Sequence, residues 1–584
     1  MSATDIEIAT DLNCSNERNG EPKTQSTTSF EEAIKLTGHG KFHLFLLLAC
    51  GACLVAMVAE AFGTAFIIPP AQCEFEMGAF EKGILNAITY VGMISSSHLW
   101  GYLADTQGRR KMLILSLFLD AICAVLSSIA PTFWLFCLLR YFNGFFICAP
   151  SAVIFAYLGE FHSATTRTKA IMLMSPMMSI GGLLQQGLAW LIIPQEWALD
   201  FGYIVFSSWR IYILIFSLPS FIASTALIFL PESPKFLLSI GEKEKAMEVL
   251  RQVYAINSGQ SPKQYAVSEV IMDENESSKN DSMSATIQPK SVLEIIKSMW
   301  LQTKPLFQYP NLLITSLAFT MQFIFYASFN GFALWLPDIY NRLSQYSEKY
   351  PNHTPTICEV IDALKSSTAI VIRSPDILNQ SSANLTIEEH VNWTYGEPRG
   401  LSAIDTLVNF SINYDYEGVI PLTNVTSDIV SCTSVNPDVF RNGMLIGCVC
   451  MVVYTTAGYI ANFIRTHKLI RIYMLVTSIE ILSLYFVNTE VGIVALASLF
   501  IATTGVCVNM LNSIVVENIP TQLRAMAVCL SLMSGRLGVT VFSLVIGVLL
   551  EAECSAVFIM YCGMAIVACV LSCLLPKGPS KSST

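Results

Sequence analysis

Charged and amide side chains occur inside stretches of this chain that are otherwise too apolar to hold them, and such groups can bind a polar molecule, carry a proton or bond one helix to another. Glu60 and Arg536 each lie roughly a dozen or more residues inside a hydrophobic run, which at about 1.5 Å per helical residue is near the middle of a bilayer. An ionisable group at that depth costs about 2.5–3.5 kcal/mol on insertion scales, so it needs a partner or a water-filled cavity. Gln322, Tyr326 and Asn330 recur every four residues, and Asn509 and Asn512 are three apart, so each set lines one helical face. Arg140 and Asn143 share another apolar run. These nine residues are the substrate-cavity candidates, with Glu60 as the group that can carry a coupling proton. The competing reading is that the polar groups only bond helix to helix, at about 0.6 kcal/mol each. Asp120 and Glu480 fit structural roles, Gln185 and Gln186 cannot both face a cavity, and His98 fits a packed, hydrogen-bonded position. No phosphate-cradling Gly-Lys-Ser loop, metal-spaced His/Cys set or nucleophile motif stands out, so no catalytic residue, metal, cofactor or enzyme activity is expected.

The elements that must position these groups follow from composition. Of 584 residues, 53% are hydrophobic and only 13% charged, and the mean hydropathy is +0.53. A span needs about 20 mostly apolar residues. Twelve such runs lie near 43–68, 83–104, 112–130, 133–158, 170–193, 209–230, 311–337, 442–463, 469–487, 491–515, 525–549 and 555–575. The expected fold is an all-α membrane protein of twelve transmembrane helices in two pseudo-symmetric six-helix halves. The expected division is a disordered cytoplasmic tail (1–41), an N-terminal half (42–230), a cytoplasmic linker (231–309), a C-terminal half (310–575) and a second cytoplasmic tail (576–584). The linker's Lys, Glu, Ser and Asn content suits a mobile segment with short surface helices, and Ser291 to Trp300 reads as an interfacial helix.

Charge sets the topology. Arg109, Arg110 and Lys111, then Arg167 and Lys169, then Arg465, Lys468 and Arg471 fall in alternate loops, whereas 131–132, 194–208, 488–490 and 550–554 carry no Lys or Arg. The positive-inside rule places both termini in the cytoplasm, as an even number of spans demands. A membrane chain of net charge −10 gives no support for nucleic-acid binding. The 338–441 segment then lies on the lumenal or extracellular side, and its length and alternating pattern from Ile404 to Val425 predict a small domain rich in β structure. Six Asn-X-Ser/Thr sequons, at Asn352, Asn379, Asn384, Asn392, Asn409 and Asn424, mark it for glycosylation. Most of the seventeen cysteines fall inside spans; Cys358 and Cys432 share this outer segment and are expected to pair.

One turn signature occurs twice. Gly101-Tyr102-Leu103-Ala104-Asp105 recurs as Gly458-Tyr459-Ile460-Ala461-Asn462, and Glu160 with Arg167 recurs as Glu517 with Arg524, both displaced by the same 357 residues. Two landmarks sharing one offset indicate a duplicated bundle, the architecture of carriers. Gly101 would permit close helix approach, Gly108 the turn, and Asp105 a bond to the cationic side of a neighbouring helix.

The run Gly101, Asp105, Gly108, Arg109, Arg110 resembles the signature of the major facilitator superfamily. Arg140 with Gly144, Glu160 with Arg167, and Pro231-Glu232-Ser233-Pro234-Lys235 are similar to its sugar-porter branch. The resemblance implies alternating access, a cytoplasmic gate of ion pairs from Glu160, Arg167 and Glu232 that part on inward opening, and a central cavity lined by helices 1, 4, 7 and 10. A closer resemblance, on His39-Gly40-Lys41-Phe42, Glu60 before Phe66-Ile67-Ile68-Pro69, Trp209-Arg210, Leu334-Trp335-Leu336-Pro337-Asp338 and the sequon-rich loop, is to the synaptic vesicle glycoprotein 2 family. The chain departs from that family's pattern at Met57, Met178, Val508, Asn512 and Arg536, as a divergent member would. The resemblance implies a multi-pass protein of the plasma membrane or a secretory, synaptic-type vesicle. The expected partners are the lipid bilayer and a small polar or charged organic solute with a coupling proton. The alternative is a transporter-fold glycoprotein acting in secretion, binding a lumenal protein or matrix without transport.

Overall fold

The computed structural model describes residues 26–271, 300–363 and 436–575, apart from 73, 164–165, 168–169, 172, 196, 201–204, 301–302, 352, 461–462 and 520. Twelve helices make the bundle: α1 Lys41–Ala71, α2 Ala79–Gln107, α3 Arg109–Ser128, α4 Phe133–Glu160, α5 Ser175–Ile192, α6 Ser208–Ile228, α7 from Leu312, α8 Asp438–Ile460, α9 Thr466–Phe486, α10 Glu490–Asn518, α11 Thr521–Ala552 and α12 Cys554–Cys573. Ten are long and apolar enough to cross a membrane. The other two are α2, diluted by Ser95, Ser96, Ser97 and His98, and α5, which has only 18 residues. Leu, Phe, Ile and Val dominate most lipid-facing surfaces: Phe229, Ile479, Ile559 and Val452 are exposed, as a bundle solvated by hydrocarbon requires.

Successive helices alternate direction, giving the bundle two ends. One, here the tail face, carries the start of α1, the α2–α3 turn and the linker; the other, the far face, carries the α1–α2, α7–α8 and α11–α12 connections. Helix α7 does not stop at the predicted 337. It runs through Leu312–Tyr326, a π turn at Ala327–Gly331 and a last section Leu336–Lys349, so the outer segment starts as a continuation of the span. The predicted β content and the six sequons, with the 291–299 helix and the 576–584 tail, lie outside the described residues.

Small residues set the tightest crossings. An added Cβ at Gly144 would overlap the Thr89 carbonyl oxygen, and one at Gly92 the Tyr141 carbonyl oxygen, so α2 and α4 touch backbone to backbone there. Gly538 meets the Phe323 carbonyl of α7 in the same way. Gly83 and Gly547 let α2 and α11 approach across the boundary between the halves, where an added Cβ would meet the Ser543 carbonyl at 3.1 Å and the Ala79 carbonyl at 2.8 Å.

Two expectations need correction. Residues 26–36 are not a disordered tail. Strand β1 (Ser26–Ser29) pairs in parallel with a linker strand at Val267–Ile271, and Ser29 caps a short helix, Phe30–Leu36, whose Phe30, Ala33 and Ile34 are buried. Tyr265 of the linker donates to the Ala33 carbonyl at 2.6 Å. The second correction is covalent. Cys358 is bonded not to Cys432 but to Cys554, the first residue of α12, with Cα atoms 5.5 Å apart. Both reach the far face on elements the bundle already holds in register, a short helix over 357–363 and the α11–α12 turn, whereas Cys432 lies outside the described residues.

Two measurements check this packing. Non-reducing peptide mapping is expected to recover a Cys358–Cys554 linked pair; a Cys358–Cys432 pair would refute the assignment. Gly144→Val is expected to cost about 1–3 kcal/mol through overpacking, seen as a lowered melting midpoint in detergent; a wild-type midpoint would show that α2 and α4 can separate.

Candidate transport site

The nine predicted cavity residues do not gather in one place. Within the N-terminal half, Glu60 of α1 and Arg140 of α4 form a 2.8 Å ion pair, both 0% exposed. Arg140 also donates to Ser127 Oγ at 3.0 Å and lies over the Phe136 ring. One turn further along α4, Asn143 donates to the Asp120 carbonyl at 3.0 Å and to its carboxylate at 3.1 Å, and Ser220 of α6 donates to the other Asp120 oxygen at 2.6 Å. These groups come from α1, α3, α4 and α6, all in one half. Glu60, Arg140 and Asn143 are therefore corrected from cavity lining to a polar core of that half, because the low dielectric around a buried carboxylate favours a partner above solvent access. Asp120 has the structural place expected for it, as does Glu480, which accepts from Thr503 at 2.8 Å.

The boundary between halves holds the other group. Arg536 of α11 reaches across to the N-terminal half, donating to Ser151 Oγ at 2.6 Å and approaching Ser97 Oγ at 3.4 Å and Cys148 Sγ at 3.2 Å. It is 8% exposed. These three partners are neutral, so the cation's charge is not cancelled by them. Beside it, Tyr326 of α7 packs on Gly535. Gln322 Nε2 and Asn512 Oδ1 are 3.5 Å apart, linking α7 to α10. Asn330 is buried in the π turn, which breaks the four-residue stripe predicted through Gln322 and Tyr326, and Asn509 is exposed. Gln186 of α5 meets Gly443 and Gly447 of α8, while Gln185 is buried. Ser97, Cys148 and Ser151 were not singled out from sequence, since small polar residues in a span carry no pattern of their own.

At the tail face some of the residues expected in the gate meet, with other partners than expected. Asp105 and Arg109 are 3.0 Å apart and Arg109 and Glu160 3.3 Å. Glu232 accepts from the backbone N–H groups of Arg110 at 3.0 Å and Lys111 at 3.4 Å, a carboxylate on the positive end of α3 rather than one side of an ion pair. Arg110 donates to the Leu227 and Ile228 carbonyls. Arg167 pairs with Glu31 at 3.0 Å. Gly108 has φ +103° and an added Cβ would fall 2.5 Å from Glu232, so glycine is required there. Gly101 is corrected: an added Cβ meets nothing within 4 Å, so no close approach depends on it. The side chains of Glu517 and Arg524, and Asn462, lie outside the described residues.

The far face contributes an ion pair that sequence reasoning missed. Lys82 at the start of α2 and Asp338 at the end of α7 are 2.8 Å apart and nearly buried, joining the two halves, and Arg342 adds a 2.9 Å bond to the same Asp338. Asn86 Nδ2 is 3.4 Å from the Leu334 carbonyl beside them. Opposite charges at one end of spans 2 and 7, Lys82 and Asp338, were the available signal.

Residues 41–342 match the family model described as sugar (and other) transporter, more than half of the chain. The chain belongs to that family. Among its relatives, synaptic vesicle glycoprotein 2B of Mus musculus is 30% identical over 341 residues, 56% of this chain and 50% of its own length. Synaptic vesicle glycoprotein 2C of Rattus norvegicus is 29% identical over 335 residues, 55% of this chain and 45% of its own. The chain thus spans about half the length of the curated relatives it matches. The fold of this sugar-transporter family member is the major facilitator fold: a D-xylose–proton symporter superposes with a TM-score of 0.55 at 13% identity, covering 92% of this chain and 99% of that one. A bacterial homologue of the human lysosomal transporter Spinster superposes at 0.56 with 10% identity, covering 93% and 100%.

The Glu60–Arg140 pair generates a test. Removing one partner of a buried pair costs about 3–5 kcal/mol, whereas replacing both with apolar groups of similar volume is often neutral. Glu60→Leu and Arg140→Met are each expected to lower the melting midpoint, and the double substitution to recover much of the loss; additive losses would show that the two charges act separately.

Proposed function

We propose that this protein is a secondary transporter that moves a small polar organic solute between the two faces of a membrane, binding it between the halves at Arg536. The observation that carries the reading is the Arg536 guanidinium, which leaves its own half to bond Ser97, Cys148 and Ser151 of the other. Neutral partners accept from its two terminal nitrogens without cancelling its charge, so a solute bearing a carboxylate or comparable anionic group gains a charge-assisted bond, worth about 1.5–3 kcal/mol. Ser97, Ser151, Tyr326, Gln322 and Asn512 supply neutral donors and acceptors for the rest of such a molecule.

The distribution of Arg and Lys supports a cytoplasmic tail face, with both termini there and the far face lumenal or extracellular. The halves then rock about the Arg536 layer: the Lys82–Asp338 pair closes the far face, and the Asp105, Arg109 and Glu160 cluster belongs to the opposite gate. Proton coupling through Glu60 would require its pair with Arg140 to open during the cycle. The likeness to synaptic vesicle glycoproteins supports residence in a vesicle membrane. That likeness and the length of the 338–441 segment also support a second reading, a glycoprotein whose outer segment binds a partner without transport.

Purified protein in liposomes, offered labelled sugars, organic cations and organic anions, is expected to show saturable uptake of an anionic solute, lowered more than about tenfold by Arg536→Gln. Uptake indifferent to Arg536→Gln would move the site elsewhere, and no uptake of any class by folded protein would favour the second reading.

A further inference from the structure

Three histidines meet at the tail face outside both the gate and the Arg536 layer. His39 and His43 are four residues apart at the start of α1, and His162 follows α4 in the turn beyond Glu160. One ring nitrogen of each lies within 4.8 Å of the others. The His39 and His43 rings stack at 4.7 Å, and His162 stands edge-on to His43 at 4.7 Å.

Their hydrogen bonds decide what the nitrogens can do. His43 Nε2 is 3.1 Å from the Phe161 carbonyl, which can only accept, so Nε2 carries the proton and Nδ1 keeps its lone pair. His162 Nδ1 is 2.9 Å from the Leu158 carbonyl, which leaves the Nε2 lone pair. A backbone carbonyl fixing one ring nitrogen is the usual support of an imidazole that ligates a metal through the other. Asn257 Nδ2 is 3.1 Å from His43 Nδ1, but also 3.2 Å from the Thr37 and Gly38 carbonyls; with two hydrogens for three acceptors, one acceptor can be given up. His39 is exposed and can swing in. The nearby Arg167 cation is balanced by Glu31 at 3.0 Å.

We propose that His39, His43 and His162 form a binding site for a divalent transition metal of the zinc class, with a fourth position open to water on the exposed His39 side. Imidazole nitrogens suit zinc at about 2.0–2.1 Å and in the plane of each ring, so closing the cluster takes a rotation of the exposed His39 out of its stack on His43. The ion would fasten the start of α1 to the turn after α4, while Asn257 of the linker helix Lys243–Ser258 keeps its bonds to the Thr37 and Gly38 carbonyls. That ties the two ends of the chain's first four spans together immediately beside Glu160.

The test uses full-length protein in detergent, stripped with a chelator and titrated with zinc. One equivalent is expected to bind and raise the melting midpoint, and His39→Ala, at an exposed position that leaves the fold intact, is expected to weaken binding more than tenfold. Cobalt titration is expected to give the visible spectrum of a four-coordinate, nitrogen-rich site that His39→Ala abolishes. No stoichiometric binding by folded protein overturns the proposal, and so does binding that survives His39→Ala or has a thiolate cobalt spectrum, which would assign the metal to surface thiols such as Cys448 or Cys573.

Discussion

A charge withdrawn from water into an apolar helix bundle must be met by another group, and this requirement organises the interior of the protein. Glu60 and Arg140 meet it together, and Asp120 meets it with Asn143 and Ser220, so four helices of one half are cross-bonded at mid-depth. Breaking one member would leave its partner stranded where neither lipid nor protein can replace it. A half built this way resists internal rearrangement.

Arg536 is the contrasting case. It sits on the boundary between the halves, and its bonds run to hydroxyl and thiol groups that can exchange one acceptor for another at small cost. The same boundary is drawn close by Gly83 and Gly547 and pinned at the far face by Lys82 and Asp338. Strong pairing inside a half and exchangeable pairing between halves is the division of labour expected of a rocking carrier.

Much of this was legible in the chain. Apolar runs of span length gave the twelve helices, because in hydrocarbon a segment must satisfy its own backbone, and the repeated turn gave the two halves. Gly108 followed from the local rules of turn geometry. Partnership across spans was not legible: periodicity says which residues share a face, but not that Glu60 faces Arg140 instead of a cavity, nor that Cys554 of α12 faces Cys358 instead of leaving it to Cys432. Gly101 misled because a glycine read as permission for close approach can border open space. The π turn in α7 likewise broke a four-residue stripe that sequence alone presents as continuous.

The Cys358–Cys554 bond carries the chain just beyond α7 over to the head of α12. Force applied to the residues that follow α7 would pass into α12 of the same half, and through Asp338 it would load the Lys82–Asp338 clasp between the halves.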